Sequence, residues 1–321
     1  MSSHGPTVGV ISNPGSGHNR EQFEHIRERL ERCPTIAHEI TYQAGDIPAA
    51  LAALAELQVS VLAINGGDGT ASAILAEMLE SHYFQHTPTI VLLPGGTANM
   101  NAGDIGLGGS LRKATERFCR WCESGSPDVG KRHRRALMRV VTDSSATPHY
   151  GMFLGAGAII QGTEYAHKEV HSRGLRDDFS LALATLRTTW GVLRGDPAFR
   201  QHVAIRLRLD DQPAAGHDAL ILAISTLQRL AFGMQPFWGS ENGGLRITLI
   251  EQQCSRFART FFSIVRGKPS RNAVPQEGYS SHNAQAISLE LHGKMNLDGE
   301  ILSVSGPVHI TASPTLEFLV L

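Results

Sequence analysis

The apolar positions in the first hundred residues switch repeatedly between two periods. Short apolar runs at Thr7–Ser12, Val59–Ile64 and Thr89–Pro94 have the length of buried strands, and His38–Gln43 alternates like a half-buried one. Between them, residues 20–33 place Phe23, Ile26 and Leu30 on a helical period. Ile47–Leu57 is alanine-rich with Pro48 in its first turn, and Ala71–His82 also reads as a helix. Strand and helix in alternation predict a parallel sheet with crossover helices.

The pattern changes in the second half. Residues 135–142, 202–210, 219–225, 245–251, 286–293 and 300–305 read as strands, with Arg206 and Arg208 alternating against Ile205, Leu207 and Leu209. Residues 164–196 interrupt them with a helical period that carries Leu183, Leu186, Trp190 and Leu193, with basic residues interspersed. A chain of 321 residues exceeds one ordinary core. We therefore expect two domains: an α/β domain over residues 1–134, and a β-rich domain over 135–321 with a helical insertion at about 164–196.

Composition narrows the classes. The net charge is −1, which gives no overall drive toward nucleic acid, and none is expected as a partner. The four cysteines do not make a disulfide framework. Cys119 and Cys122 form a lone CxxC, read as two thiols on one face of a helix. The N-terminal residues lack a signal-peptide pattern, and the longest apolar run is too short to span a bilayer. The expected location is cytoplasmic, with any membrane contact peripheral and at the inner face. Oligomeric state stays open, a homo-oligomer included.

Three glycine-bearing loops carry the chemistry. Asn13-Pro14-Gly15-Ser16-Gly17 follows the first strand, Asn65-Gly66-Gly67-Asp68-Gly69-Thr70 the third, and Pro94-Gly95-Gly96-Thr97-Ala98-Asn99 the fourth. In a parallel sheet the carboxyl ends of the strands share one edge, where ligands bind, and a helix start after each loop favours an anion. The ligand expected of three such loops is rich in phosphate. No loop has the Lys of a Walker motif, and no pair of glycines completes GxGxxG.

NPGSG, NGGDGT and LPGGTANMNAGDIGL, in that order, resemble the diacylglycerol kinase catalytic-domain family, which includes bacterial lipid kinases and the sphingosine and ceramide kinases. The resemblance implies a phosphofructokinase-like α/β domain that binds ATP, followed by a C-terminal β-sandwich for the lipid. It implies a transferase: a lipid kinase that moves the γ-phosphoryl of ATP to a hydroxyl of diacylglycerol or a related lipid, with Mg²⁺. On that reading Asn13, Gly15, Ser16, Gly17, Gly66, Gly67, Gly69, Thr70, Gly96, Thr97 and Asn99 bind the nucleotide. Asp68 either holds Mg²⁺, directly or through water, or accepts the lipid hydroxyl proton; its structural alternative is a helix cap. Asn296-Leu297-Asp298-Gly299-Glu300 is similar to the family's late DGE. The resemblance assigns Glu300 as a candidate base and Asp298 to catalysis and the metal; the residues alone read as a D-G hairpin turn, and the two readings are compatible.

Some residues depart from the family. Met100 and Gly103 stand where many relatives carry Asp and Arg, and Asn242 stands where an Asp is expected, with Glu241 beside it. Two rival readings follow: an NAD kinase-like enzyme, or a catalytically weakened protein that binds nucleotide or lipid. Residues 164–196 either cap the sandwich or lie on a bilayer. KRHRR (131–135) reads as a solvated linker or as a contact for anionic lipid or nucleotide phosphate, and FGMQPFWG (232–239) as core or lipid pocket.

Overall fold

The structure, a computed structural model, describes residues 7–97, 99–125, 129–143, 145–164 and 202–321. The segment expected as a helical insertion, 164–196, lies outside them except for Glu164. The chain divides into two compact units, one of Met1–Arg135 with Pro314–Leu321 and one of Ala136–Ser313.

The first unit alternates as its sequence period predicts. In order come β1 (Val8–Ser12), α1 (Asn19–Glu31), β2 (Ile36–Ile40), α2 (Ile47–Glu56), β3 (Val61–Gly66), α3 (Asp68–Ser81), β4 (Thr89–Pro94), α4 (Met100–Ile105), α5 (Leu111–Ser124) and β5 (Lys131–Arg135). The sheet order is β2-β1-β3-β4-β15-β5, where β15 is the chain's last strand, Leu316–Val320. All neighbours are parallel except β15 and β5. The register pairs Ser12 with both Ile40 and Asn65, and Gly66 with Pro94, so β1, β3 and β4 end level with one another. β1 and β3 are buried along their whole length, as a parallel strand covered on both faces requires. On one face Val8, Val10, Val61, Ala63, Val91 and Leu93 pack against α1 and α5.

KRHRR is not a linker. It is the edge strand β5, held to β15 by its ladder, by an Arg132–Glu317 ion pair and by Arg135 against Asp104 at 3.5 Å. The run expected as one strand, 135–142, breaks because its two ends serve different sheets. Leu137 and Ser313 bond to each other through both backbone and side chain at 2.8 and 2.9 Å, where the outgoing and returning chains meet.

The second unit is antiparallel throughout: β6 (Met138–Thr142), β7 (His149–Gly151), β8 (Phe153–Gly157), β9 (Val203–Leu209), β10 (Ala215–Ser225), β11 (Leu245–Glu251), α6 (Phe257–Val265), β12 (Tyr279–Ala284), β13 (Ala286–Leu297) and β14 (Glu300–Ala312). β8 and β9 each pair with both β10 and β13, which joins the nine strands into one network around a main core, with a smaller apolar cluster under α6. Burial alternates along β6 and β9, so one face of each strand supplies that core. Among the described residues no helix is long and apolar enough to cross a membrane.

Candidate active site

Because β1, β3 and β4 end level, the three glycine loops meet at one edge of the first sheet, and they meet through backbone. A Cβ added to Gly17 would lie 2.5 Å from the carbonyl carbon of Gly96; one on Gly96 would lie 2.4 Å from the Cα of Gly67. One on Gly66 would lie 2.6 Å from the Thr70 side chain. Gly17 and Gly96 are required by loop-to-loop packing, and Gly66 by the Thr70 side chain of its own loop. Gly69 differs: a Cβ there meets no atom of the described residues within 4 Å, so in the first turn of α3 it faces away from the packed loops.

Asparagines lace the loops together. Asn13 donates Nδ2–H to Thr70 Oγ1 at 2.9 Å and accepts the Gly15 N–H on Oδ1 at 2.9 Å. Its own N–H reaches Asn65 O at 3.0 Å. Ser16 Oγ donates to the carbonyls of Asn13 and Gly95. Asn99 closes the third loop on itself, accepting from Gly96 N–H at 2.8 Å and donating to Gly96 O at 2.7 Å, with its backbone left-handed at φ 46°. Asn is among the few residues other than Gly that take that conformation readily.

Two further asparagines belong to this edge and were not singled out from sequence. Asn19 is fully buried. Its Nδ2 donates to Asn13 O, Ser16 Oγ and Asn65 O, and its backbone N–H to Gly95 O, so it touches all three loops. Asn65 is equally buried and donates to Ser12 Oγ, which also meets His38 Nε2 at 2.8 Å. Burial pushes the His38 imidazole below its ordinary value. The available signal was a polar residue in an otherwise buried run, as with Asn65 at the end of β3. Among the described residues, the amide oxygens of Asn19 and Asn65 have no partner, and neither does either polar atom of buried Asn101. Such atoms call for a ligand or ordered water.

Asp68 opens α3, whose N-cap is Gly67. It caps a different helix. Its two oxygens accept the N–H groups of Met100 and Asn101, both at 2.9 Å, and so hold the start of α4. This ties the second motif to the third. Burial drives the Asp68 carboxyl above its ordinary range, against the opposing pull of the two N–H donors.

In the second unit, Asp298 and Gly299 have φ of 48° and 96° and join β13 to β14 in a two-residue loop, with Leu297 paired to Glu300. This is the D-G hairpin turn. Asp298 accepts N–H bonds from Met152 at 2.9 Å and Phe153 at 2.8 Å. Glu300 is exposed and has no side-chain bond to any described residue. Glu241 accepts from His282 at 2.6 Å and from the N–H of Asn283 at 3.0 Å. The His282 bond pulls its carboxyl down to about 2. In the 232–239 stretch, Trp238 packs against a small apolar cluster under α6, and the N–H groups of Trp238 and Gly239 both reach Ser281.

The arrangement suits a polyphosphate. The first-turn N–H groups of α3 have no intrahelical partner, and its dipole favours an anion there. Thr70 and Thr97 offer hydroxyls beside it. No cluster of three His, Cys, Asp or Glu among the described residues could hold a metal ion unaided. The thiols Cys33, Cys119 and Cys122 are free and buried against α1 and α5, and burial pushes the Cys122 thiol up to about 12.

Residues 7–126 match the model of the diacylglycerol kinase catalytic domain. A protein of Enterobacter sp. (strain 638) named "Probable lipid kinase YegS-like" is 31% identical over 107 residues, 33% of this chain and 36% of that protein, so the likeness spans about a third of each. A solved diacylglycerol kinase from Bacillus anthracis str. Sterne superposes with TM-score 0.60 at 16% identity, covering 99% of this chain and 98% of that one. A second structure from the same organism, of a protein offered as a diacylglycerol kinase, gives TM-score 0.65 at 17% identity, covering 99% and 98%. At such identities the likeness is one of fold.

Proposed function

We propose that this chain, whose residues 7–126 belong to the diacylglycerol kinase catalytic-domain family, is an ATP-dependent lipid kinase that phosphorylates a hydroxyl of diacylglycerol or a related lipid. The observation that carries the reading is the meeting of the three motif loops at one sheet edge, with Gly69 in the first turn of α3 facing away from the packed loops. There the N–H groups of residues 68–70 bind phosphate oxygens, and the Thr70 and Thr97 hydroxyls add donors. Asn13 orients Thr70, and Asp68 fixes the third loop so that Thr97 keeps its place.

Phosphoryl transfer depends on positioning and charge stabilisation more than on covalent chemistry. When bound, Mg²⁺ would supply charge neutralisation; Asp68, whose two oxygens each accept one N–H bond and keep a lone pair, would help to hold it, directly or through water, beside the phosphate oxygens. Glu300 is the carboxylate we assign to the acceptor hydroxyl, because it is exposed and engaged with no described residue. Asp298 supports it by fixing the turn.

The test is transfer from γ-labelled ATP with Mg²⁺ in mixed micelles of diacylglycerol, monoacylglycerol, sphingosine or ceramide, with NAD as a further acceptor. A labelled lipid supports the reading and names the acceptor. Labelled NADP with no labelled lipid would replace it with NAD kinase-like chemistry. ATP binding without any product would leave a nucleotide-binding protein that no longer transfers phosphate.

A further inference from the structure

We propose that α6 and the segment after it form a docking surface for an anionic phospholipid bilayer. The sequence over 252–276 contains Arg256, Arg259, Arg266, Lys268 and Arg271 and no acidic residue, in a chain whose net charge is −1. All five cations are exposed, and none has a hydrogen bond or ion pair to a described residue. The acids that bracket the run are both engaged: Glu251 with His217 at 2.7 Å, and Glu277 with the Ser255 hydroxyl.

The helix is two-sided. Thr260 and Ile264 are buried, and Phe257 and Phe261 pack against the cluster of Ile250, Ala273 and Tyr279. Those four positions fall on one face by helical spacing. Arg259, Phe262 and Arg266, at i, i+3 and i+7, fall on the other. Phe262 is 39% exposed, the one exposed large hydrophobic side chain among the described residues of the second unit. A single exposed Phe is ordinary on a solvated surface; what sets this one apart is its place on one helix face between two cations without ion pairs to the described residues. It suits the boundary between headgroups and acyl chains, where the ring enters the apolar layer and the guanidinium groups stay among anionic headgroups. Lys268 and Arg271 extend the positive charge beyond the helix.

This surface deepens the lipid-acceptor reading, since an enzyme acting on a bilayer lipid gains from residence at the interface. It rests on that reading only for its purpose: the surface is tested by binding, without ATP and without turnover. The full chain is sedimented with phosphatidylcholine vesicles, with and without phosphatidylglycerol, for wild type, for Arg259→Gln with Arg266→Gln, and for Phe262→Ser. A thermal melt checks that each variant is folded. Wild type is expected to bind the phosphatidylglycerol vesicles, with affinity falling as salt rises. The double variant should bind about 25-fold more weakly, at about fivefold per surface cation. Phe262→Ser should weaken binding while leaving the salt dependence unchanged. Folded wild type that ignores phosphatidylglycerol vesicles, or variants that bind them as well as wild type, would overturn the proposal. Lost vesicle binding with lipid phosphorylation intact would sink this surface alone, and the converse would sink the kinase reading alone.

Discussion

Asp68 and Asp298 lie in different units and do the same mechanical work. Each carboxylate accepts the N–H groups of two consecutive residues, Met100 and Asn101 for one, Met152 and Phe153 for the other, at 2.8–2.9 Å. Their settings differ. Asp68 joins two glycine loops at the end of a parallel sheet, and burial raises its affinity for a proton. Asp298 sits in a hairpin turn and leaves the neighbouring Glu300 uncommitted. An aspartate beside glycine in sequence therefore signals a backbone clasp as readily as a reactive carboxylate. The chemistry is then sought in what the clasp presents: N–H groups in the first unit, a free carboxylate in the second.

The largest effects should come from breaking the loop packing itself. Gly96→Ala puts a methyl group against the Gly67 backbone and should cost about 3–5 kcal/mol in a denaturant titration, as other severe backbone clashes do. Removing either clasp comes next. Asp68→Ala and Asp298→Ala each leave two backbone donors without a partner and should cost about 2–3 kcal/mol. Only Asp68→Ala should also weaken ATP binding, which calorimetry on the folded variants would read. Equal effects of the two on ATP would erase the distinction drawn between them.

Gly69→Ala should act in the opposite direction on stability. It lies in the first turn of α3 with no described atom within 4 Å, so alanine should stabilise the protein by about 0.4–1 kcal/mol while crowding the nucleotide. A variant that melts higher and binds ATP more weakly would mark Gly69 as the glycine kept for ligand.

The smallest effects are in pH, with opposite signs in the two units. The raised Asp68 carboxyl contributes stability in full below its ordinary value of 3.8 and loses it as pH rises through its raised value. Glu241, lowered from 4.5 to about 2, contributes above 4.5 and loses that contribution as pH falls toward 2. Being largely exposed, it should matter by less than about 1 kcal/mol, read as the difference in acid melting between wild type and Glu241→Gln.

The parallel sheet was legible because its strands are buried on both faces and its helices keep their period. Six strands of the second unit were legible in sequence; β7, β8, β12 and α6 were not, and neither was the strand order. Which strand pairs with which depends on contacts far apart in the chain, such as β13 with β8, β9 and β14. The last strand, LEFLV, looks like any short apolar run, and its return to the first sheet beside β4 has no local signal. At the site, the motif glycines were found, but not that Gly17, Gly66 and Gly96 face protein while Gly69 faces away from the packed loops. Asn19 was missed because a polar residue at a helix start reads as solvated until the loops that cover it are in place. The cations of 256–271 were missed because they are spaced along the chain and gather only around α6.

The measurement that bears most directly on the kinase reading is the initial rate of labelled phosphate transfer from ATP to the best lipid acceptor for wild type and Glu300→Gln, with ATP affinity and melting temperature measured on the same samples. Glu300→Gln is expected to melt as wild type does, bind ATP with unchanged affinity, and transfer phosphate at least about 100-fold more slowly, the scale of a lost general base. Transfer at the wild-type rate by Glu300→Gln would contradict the role assigned to Glu300.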